Sequence, residues 1–580
     1  MSMKKFVSMV LVVCMVSSLL MACGKSGSEK ETASDSGNNT TTPAEKESLA
    51  QETVDGEREW DPIVTEAGTF PIVTEPITVT FAVPQNTNVE DYNTNYYTKW
   101  LEEKSGINIE FEVIPQADIA QKVQLAFASD SNLPDAYLGV GRVNANTFST
   151  NNIIRYGSAD QVVALNDYIV KYGENTKALF EEFSDGISIE QMMTSADGNI
   201  YYMPAFGPAT VNRYTSKLWI NEGWLKALDL EVPTTTEEFK AVLEAFATRD
   251  PNGNGKQDEI AYVGTTENPV YSAYDYLIGS FCVDNTTFHR LTAEDGATIE
   301  YAPVTDDWRN AMIYLNDLTT SGLLSSLTFT QDLASLKQIV NDENDICGAF
   351  QSLGVGLVAT SQDVINRYIG IDVLTGPEGM AYAVSQPATP AAGGVITSAC
   401  EHPEAVFRLF DLMLSFEAST ISRYGIEGVN WETPPAGTKD YYGTEATLSV
   451  LENIWMLPQN THWQNYCPFV NAIHNEHTAW NGDPKQGEYL NAQTAILYKD
   501  NEPKNPIATL IYNEEELEEI NDIMNNLDDY TNEAIAKFAV GNLDPKDDAI
   551  WKQYLNEFEI IGLGDFLRIS QTAYDRMTAE

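Results

Sequence analysis

The sequence predicts an α/β fold whose first part contains a parallel sheet. Apolar and polar residues alternate in Ile77–Val83 and again in Ile107–Val113, which is the period of a half-buried strand. A helical pattern follows each of these segments, and a third short strand is predicted over Pro134–Leu138. Strands that alternate with helices in this way pair in parallel. Ligands bind at the carboxyl ends of such strands, so the loops after these three strands form the predicted binding edge.

Helices account for most of the remaining predicted elements. Asn95–Ser105 is a predicted helix that ends at Gly106, a residue that stops helices readily. Thr235 is a predicted N-cap, with Glu238 three residues later as in a capping box. The other predicted helices are Ala117–Ser129, Lys217–Leu228, Trp308–Thr320, His402–Ser415, a long one striped by Leu517, Ile520, Ile523, Met524 and Leu527, and the final pair Trp551–Phe558 and Phe566–Met577.

Three further strands are predicted in the second half of the chain. Ile346–Phe350 and Ile369–Leu374 are short apolar runs of strand length. Gly393–Ile396 is predicted to return to the first sheet. No internal repeat is evident, so the architecture is not that of a repeat protein.

The charge balance excludes one class of partner. The chain has 580 residues, with 85 acidic against 34 basic side chains and a formal net charge of −51. Nucleic-acid backbones bind surfaces rich in Lys and Arg, so no nucleic-acid partner is expected. The length and a hydrophobic fraction of 43% predict a globular protein with a large core.

The first residues have the pattern of a secretory signal. Two lysines precede an apolar run, Phe6 to Leu20, which is too short to span a bilayer comfortably. The run ends in Leu20-Met-Ala-Cys23, which resembles the lipobox of bacterial lipoproteins. Residues 1–22 are therefore a predicted signal peptide, and Cys23 is the predicted site of lipidation, where two acyl chains would give a stable anchor. Residues 23–58 are polar and are a predicted disordered tether.

The most specific chemical pattern lies in Asp250–Glu259. Oxygen-bearing side chains alternate along it, and Gly255 stands at the sixth position, where a calcium loop turns sharply. The loop departs from an EF-hand because position twelve is Ala261, so the ligand shell would close at position ten. The predicted calcium ligands are the side chains of Asp250, Asn252, Asn254, Asp258 and Glu259 and the backbone carbonyl of Lys256.

Two other kinds of loop have a similar composition. An ordinary Asn/Gly turn between a helix and a strand has similar composition and stays open. A phosphate-binding loop is excluded, because Gly255-Lys256 is followed by Gln257 where Ser or Thr is required.

Four cysteines lie beyond the leader, at Cys282, Cys347, Cys400 and Cys467. They are far apart and form no CxxC pair, so a zinc knuckle is not expected. Disulfides and buried thiols are both compatible with this spacing.

Several segments, taken in order, resemble the extracellular solute-binding proteins of ABC importers. More narrowly, they resemble the large lipoprotein branch that includes alginate-oligosaccharide-binding proteins. The resemblance covers roughly Ile77 to the C-terminus, and apart from the calcium loop it is the order of the motifs that is specific. The residues that carry it are Leu20–Cys23, Trp100–Gly106, Asp197–Tyr201, Leu218–Trp224, Pro233–Phe239, Asp250–Glu259, Tyr424–Gly428 and Leu543–Pro545.

The resemblance implies two α/β lobes joined by hinge strands, in a class II periplasmic-binding-protein-like fold with a helical C-terminal region. The expected bounds are 59–212 and 391–450 for the first lobe, 213–390 for the second lobe with its calcium loop, and 451–580 for a helical part shared between the lobes. It also implies one structural Ca²⁺, an oligosaccharide clamped between the lobes, and delivery to membrane permease subunits. A lipid-anchored monomer on the extracytoplasmic face of the bacterial cell membrane is therefore expected.

The candidate ligand-binding residues are aromatic or charged side chains in predicted loops or beside the first hinge. Aromatic rings stack on the apolar faces of sugars, and polar side chains bond the hydroxyl groups. For each aromatic residue taken alone, core packing is an equally good explanation. The candidates are Asp135, Arg142, Tyr201, Phe206, Tyr214, Tyr274, Phe281, Trp431, Trp455 and Trp463, whereas core packing is expected for Trp100, Trp219 and Trp308.

No enzymatic activity is expected. A glycoside hydrolase needs two opposed carboxylates, but 85 acidic residues make such pairs uninformative. No GxSxG motif occurs, and His474-Asn-Glu-His477 lacks the HExxH spacing of a zinc peptidase. The alternatives left open are an extracytoplasmic carbohydrate-active lipoprotein enzyme and a peptide-binding or sensor lipoprotein.

Overall fold

The strands and helices come from a computed structural model that describes residues 59–144, 147–183, 188–455, 457–471, 477–507 and 509–578. The predicted signal peptide, Cys23, the predicted tether and His474 lie outside these residues. The side chain of Arg142 also lies outside the description. Residues 58–580 form one compact unit by their contacts.

The strands are short apart from the first two, whose alternating pattern the sequence predicts. They are β1 (Ile77–Pro84), β2 (Ile107–Ile114), β3 (Ala136–Leu138), β4 (Met203–Phe206), β5 (Lys217–Asn221), β6 (Leu291–Thr292), β7 (Glu300–Tyr301), β8 (Ala349–Ser352), β9 (Tyr368–Gly370), β10 (Ala391–Ile396), β11 (Trp431–Glu432), β12 (Ser449–Val450) and β13 (Phe469–Val470).

Helices make up most of the ordered secondary structure, and the longest is near the C-terminus. They are α1 (Tyr96–Ser105), α2 (Ile119–Ser129), α3 (Val140–Val143), α4 (Thr150–Ser158), α5 (Asn166–Tyr172), α6 (Asn175–Glu182), α7 (Ile189–Met193), α8 (Thr210–Arg213), α9 (Glu222–Ala227), α10 (Thr236–Thr248), α11 (Asp275–Ile278), α12 (Asp306–Thr320), α13 (Leu333–Val340), α14 (Gln362–Ile365), α15 (Pro403–Met413), α16 (Phe416–Tyr424), α17 (Gly487–Tyr498), α18 (Glu514–Ala539), α19 (Asp548–Ile561) and α20 (Leu563–Thr578).

The first sheet has the strand order β13-β4-β10-β3-β1-β2. β1 pairs in parallel with β2 and β3, as predicted. β10 is antiparallel to both β3 and β4, and β13 is parallel to β4. The predicted return of Gly393–Ile396 to the first sheet is therefore confirmed. β1, β2, β3, β4 and β13 all end at one edge of this sheet, which we call the carboxyl edge.

The second sheet is antiparallel and has the order β8-β5-β9. The predicted helix over Lys217–Leu228 is wrong in its first half, because Lys217–Asn221 is the central strand β5. All five residues of β5 are buried, and a strand flanked on both edges accommodates Trp and Ile on both faces. The helix α9 begins only after Asn221, whose side chain caps it by accepting a hydrogen bond from the Trp224 amide.

The apolar side chains gather into separate cores, one for each lobe. The first core draws buried residues from 72–206 and 392–467. The second draws them from 214–383 and 495–573, and a smaller cluster surrounds Trp219, Phe350 and Tyr368 of the second sheet. The chain therefore passes between the lobes in the segments 207–216 and 385–390 and again between β13 and α17.

Two further properties of the described residues bear on the sequence predictions. Cys282, Cys347, Cys400 and Cys467 are all reduced cysteines, and all but Cys400 are buried, so buried thiols are the interpretation that the structure supports. None of the helices in the described part of the chain has the length and apolar character needed to cross a membrane.

Candidate functional site

The carboxyl edge of the first sheet is covered by a segment that comes late in the sequence, residues 459–471. The amide of Gln459 donates to the carbonyl of Asn88 beyond β1. Tyr466 lies against Gly139 at the end of β3, where a Cβ atom would come within 2.9 Å of the Tyr466 backbone. Gly139 has φ +64°, so glycine provides both the left-handed turn and the space for this approach.

Buried polar atoms without a hydrogen-bond partner occur on the late segment, on the segments that cross between the lobes and on α16. Native proteins satisfy most of their buried polar groups, so unpaired ones call for a partner that the chain itself does not supply. In the described part of the chain, six of them lie on the late segment, on the crossing segments or on α16: Ser385 Oγ, Arg423 Nε, His462 Nε2, Gln464 Nε2, Asn471 Oδ1 and Gln486 Oε1.

Four of the side chains in this region form one contiguous group, which we call the donor cluster: Arg423, Trp455, His462 and Gln464. The guanidinium carbon of Arg423 lies 4.4 Å from the centroid of the Trp455 ring. The imidazole of His462 stacks on the same indole, with centroids 6.0 Å apart and planes 13° apart. The backbone N–H of Gln464 donates to His462 Nδ1 at 3.1 Å. Cation–π and ring stacking therefore hold these groups together.

The surroundings of His462 determine the protonation state of its imidazole ring. Burial, with the nearby charge of Arg423, lowers the pKa of His462 to about 3, so the ring is neutral at physiological pH. Because Nδ1 accepts from the backbone N–H of Gln464, the single ring proton is on Nε2. The cluster therefore presents N–H donors from three side chains.

Contacts on Tyr441 bring the second lobe next to this cluster. The side chains of Gln486 and Gln493, at and within α17, donate to the Tyr441 hydroxyl at 3.1 Å and to its carbonyl at 2.8 Å. Burial, together with the charges of Glu488 and Tyr424, raises the pKa of Tyr441. Tyr424 is the neighbour of Arg423 in α16, so the end of α16 that carries Arg423 lies near Tyr441 and α17.

The first crossing segment is held by a buried lysine at the start of β5. The ammonium group of Lys217 donates to the carbonyl oxygens of Val211, Tyr214 and Leu353 at 2.8, 2.6 and 2.9 Å. Burial lowers the pKa of Lys217 to about 7. Two of the three acceptors belong to the first crossing segment and one follows the end of β8. The Lys217 side chain therefore connects this crossing segment to the second sheet.

Tyr214, a predicted ligand-binding residue, belongs to the same hinge. Its hydroxyl donates to Glu502 Oε1 at 2.7 Å, and Glu502 also pairs with Arg213. The Tyr214 ring packs edge-on against Tyr498 at 5.8 Å. These contacts give Tyr214 a role in fixing the crossing segment to the second lobe.

A cavity of about 440 Å³ is lined by residues of both lobes. Ser149 and Asn152, at the start of α4, line it from the first lobe, and α4 contacts α18 of the second lobe. His289, Asn521 and Asn525 line it from the second lobe. Hydroxyl, amide and imidazole groups around such a volume are suited to a polar ligand with many hydrogen-bonding groups.

Five of the predicted stacking residues are core residues in this structure, which corrects the sequence interpretation. Trp463 is fully buried, packs edge-on against Tyr97 at 4.8 Å and donates from its indole to Thr98. Sequence position could not separate these rings from exposed ones, because each follows a polar or Pro-containing stretch. The others are Phe206 against Phe183, Tyr274 against Phe329, Phe281 against Tyr314, and Trp431, whose indole donates to the Gly425 carbonyl.

Two other predicted residues lie at the wrong edge of the first sheet. Asp135 precedes β3, and its carboxylate accepts a hydrogen bond from the Thr80 amide in the first half of β1. Tyr201 precedes β4, and its hydroxyl donates to Asp197 at 2.6 Å. Both are therefore at the amino ends of their strands, opposite the binding edge. Arg142 lies in α3, directly after β3, but its side chain is outside the described atoms.

The donor cluster contains only one residue that the sequence singled out, Trp455. Arg423, His462 and Gln464 were missed because nothing local marks a side chain that faces the second lobe. A usable signal was present in Thr461–Asn465, where polar residues surround Trp463 in a stretch without helical or strand periodicity.

The predicted calcium loop follows α10 directly and has the backbone of a tight loop. Asp250, Gly253 and Gly255 have φ of +50°, +68° and +76°, and the Asp250 carboxylate accepts from the amides of Asn254 and Gly255 at 3.0 Å. Glu259 Oε1 is buried without a hydrogen-bond partner. Among the described residues, no three His, Cys, Asp or Glu side chains converge as a metal site. The oxygen donor set and the unpaired Glu259 oxygen fit the chemistry of Ca²⁺.

Solved structures of other proteins share this architecture over most of the chain. FusA of Streptococcus pneumoniae in complex with kestose has a TM-score of 0.70 at 24% identity, covering 87% of this chain and 99% of FusA. A FusA EF-hand mutant in complex with fructo-nystose has a TM-score of 0.69 at 23% identity with the same coverage. An extracellular solute-binding protein from Bifidobacterium longum subsp. infantis has a TM-score of 0.71 at 20% identity, covering 87% and 99%. The fold is therefore that of the two-lobed solute-binding proteins.

The sequence itself points to the same class. The chain is 25% identical over 529 residues to the fructooligosaccharide ABC transporter substrate-binding protein FusA of S. pneumoniae serotype 4, covering 89% of this chain and 93% of FusA. It is 23% identical over 310 residues to the lipoprotein LipO of Bacillus subtilis, covering 49% of this chain and 58% of LipO. No protein-family model matches the chain. Its homologues are ABC-transporter substrate-binding proteins, which confirms the resemblance drawn from the sequence motifs.

Proposed function

We propose that this chain is a solute-binding protein that captures an oligosaccharide between its two lobes and delivers it to the permease subunits of an ABC importer. The observation that carries the proposal is the set of six unpaired buried polar atoms on the late segment, the crossing segments and α16. Burying a polar group without a partner costs free energy. An oligosaccharide supplies many hydroxyl groups that would complete these hydrogen bonds.

The architecture supports capture by closure. Two lobes with separate cores joined by short crossing segments move as rigid bodies about a hinge. A ligand that contacts both lobes favours the closed arrangement, because only that arrangement provides all of its contacts. FusA, a relative that matches 89% of this chain, is a fructooligosaccharide ABC transporter substrate-binding protein, and this chain would bind the same broad class of ligand.

Two further parts of the proposal concern Ca²⁺ and the membrane. Asp250, Asn252, Asn254, Asp258, Glu259 and the Lys256 carbonyl would hold one structural Ca²⁺ at the exit of α10, where the ion would offset part of the negative charge of the chain. One of the solved FusA structures is that of an EF-hand mutant, which supports a metal loop in this class. Cys23 would carry the lipid anchor, in keeping with the lipoprotein LipO among the relatives.

The test is a panel of neutral and acidic oligosaccharides, with peptides as a second ligand class. Thermal shift measures binding, and chromatography of the same samples measures product formation. A shift with an oligosaccharide and no hydrolysis is the expected result. Hydrolysis would establish the carbohydrate-active enzyme instead, and a shift with peptides alone would establish the peptide-binding alternative.

A further inference from the structure

The arginine of the donor cluster has no carboxylate partner among the described residues, unlike six other arginines of the chain. The chain carries 85 acidic residues, and Arg213, Arg290, Arg309, Arg367, Arg568 and Arg576 all pair with one. Arg423 is half-buried, yet its guanidinium forms no ion pair or hydrogen bond with any residue that the structure describes. Its recorded contacts are with the rings of Tyr424 and Trp455.

The two neighbours of Arg423 in the cluster also present donors without acceptors. His462 is 0% exposed and Gln464 is 2% exposed, and the Nε2 atom of each is buried without a hydrogen-bond partner. Gln464 has φ of +57°, a left-handed conformation that is rare for a non-glycine residue. Such strain and such unpaired groups persist where the surrounding structure requires them, which occurs mostly at functional sites.

Trp455 is already engaged within the cluster. The Arg423 guanidinium and the His462 imidazole both stack against its indole. A sugar ring would have to compete with these two groups for the indole face. The geometry therefore favours a role for Trp455 in holding the donors in place, which differs from the stacking role that its sequence position predicted.

We propose that Arg423, His462 and Gln464 form a subsite that receives one unit of the ligand through oxygen atoms that accept hydrogen bonds, with Trp455 as the positioning residue. This inference rests on the proposed function and names the part of the cleft that recognises the sugar. The subsite would bind a pair of adjacent acceptor oxygens. Two kinds of sugar unit provide such a pair: a neutral sugar through vicinal hydroxyls, and a uronic acid through its carboxylate.

The first test compares affinities of the full mature chain by isothermal titration calorimetry. The ligands are a neutral oligosaccharide that shifts the melting temperature of the wild type and a uronic-acid oligosaccharide of the same length. Arg423→Gln should weaken binding by about ten- to a hundred-fold, the loss expected for hydrogen bonds from a charged donor. Arg423→Lys should give an intermediate loss, because it keeps the charge without the planar fork.

A matched control exists in the second lobe. Arg309 lies over Trp551 at 5.4 Å and pairs with Asp548, so Arg309→Gln removes an arginine from a comparable ring contact outside the cleft. Its affinity should stay within about two-fold of the wild type, since contacts far from a binding site are usually independent of it. A loss confined to the acidic ligand would identify the carboxylate as the acceptor, and a loss on the neutral ligand would identify the hydroxyl pair.

A second variant separates recognition from simple damage to the fold. Gln464→Met keeps an unbranched side chain but removes an unpaired buried amide, so the free protein should melt at an unchanged or higher temperature. Its affinity should nevertheless fall by about ten-fold, because a hydrogen bond to the ligand is lost. If Gln464 had only a structural role, its replacement would not lower the affinity for the ligand while leaving the melting temperature unchanged or higher.

The outcomes that overturn the inference are distinct from those that overturn the proposed function. Wild-type affinity in both Arg423→Gln and Gln464→Met, with normal binding by the wild type, would remove the subsite and leave oligosaccharide capture intact. Absence of oligosaccharide binding by the wild type would remove both.

Discussion

The ammonium nitrogen of Lys217 lies 2.9 Å from the carbonyl oxygen of Leu353, which joins the first crossing segment to the end of β8. The pKa of Lys217 falls from its usual 10.5 to about 7 because the side chain is fully buried. Between these two values the unfolded chain binds more protons than the folded one, so the free energy of unfolding should rise with pH.

The Lys217→Met variant should lose this dependence. Between pH 7.5 and 9.5 the wild type should gain stability relative to the variant by up to about 1.4 kcal/mol per pH unit. Urea denaturation of both proteins at three pH values measures the difference, in which the titration of other groups cancels. If the free energies of unfolding of the two proteins changed in parallel with pH, Lys217 would be protonated equally in the folded and the unfolded state.

His462 should make the free energy of unfolding depend on pH below about pH 6.5. Its pKa is lowered to about 3 by burial and by Arg423, so the unfolded chain takes up a proton near pH 6.5 that the folded chain rejects. The contribution of His462 to stability is therefore complete above pH 6.5 and is lost as the pH falls towards 3.

His462→Asn is the variant for comparison with the wild type, because the asparagine side-chain oxygen can still accept a hydrogen bond from the backbone N–H of Gln464. Between pH 7 and 5 the free energy of unfolding of the wild type should fall by up to about 2 kcal/mol more than that of this variant. Denaturant titrations at pH 7, 6 and 5 give the comparison. An equal loss in both proteins would contradict a neutral buried imidazole.

Calcium should stabilise the chain through the Asp250–Glu259 loop. An ion that binds only the folded state adds about 2.7 kcal/mol at a concentration of about 100 times Kd. Calorimetric melting after chelation and after addition of CaCl₂ measures the gain. Asp250→Asn and Glu259→Gln should each reduce it.

Glu244→Gln is the control for the calcium experiment. Glu244 is exposed on α10 just before the loop, so this variant removes one negative charge without removing a proposed ligand. Its calcium-dependent gain should equal that of the wild type. Equal melting temperatures of the wild type with and without Ca²⁺, with no metal in elemental analysis, would eliminate the calcium site.

The lipid anchor is tested at Cys23. Cys23→Ala should move the protein from the membrane fraction to the soluble fraction, since stable anchoring needs the acyl chains. Fractionation of cells that express each form, followed by immunoblotting, is the measurement. Retention of Cys23→Ala on membranes would assign the attachment to another segment.

Periodicity predicted much of the first lobe, since its two long strands alternate and its first helix has a capping residue at its start and a glycine at its end. Asn95 caps α1 by accepting from the Tyr97 amide, and Gly106 ends the helix with φ of 76°. The capping box at Thr235 was only half correct. Thr235 accepts from the Glu238 amide, but the Glu238 carboxylate bonds to Thr234 instead of closing the box on Thr235.

The site was harder to predict than the elements, because local pattern does not say which side of an element faces the other lobe. Trp455 and Trp463 are eight positions apart in one irregular stretch. Trp463 turns into the core between Tyr97 and Phe111, whereas Trp455 turns towards Arg423. Contacts between residues that are distant in sequence decide this difference, and no spacing rule encodes them.

The position of β13 also has a consequence for how the chain is made. The first sheet holds strands from Ile77 to Val470, so its edge strand and the segment across its carboxyl edge are synthesised after nearly 400 intervening residues. Pairings of such long sequence separation form slowly, and a partly synthesised lobe has an open edge. A nascent chain that cannot close its first lobe early would stay unfolded long enough to be threaded through a secretion channel.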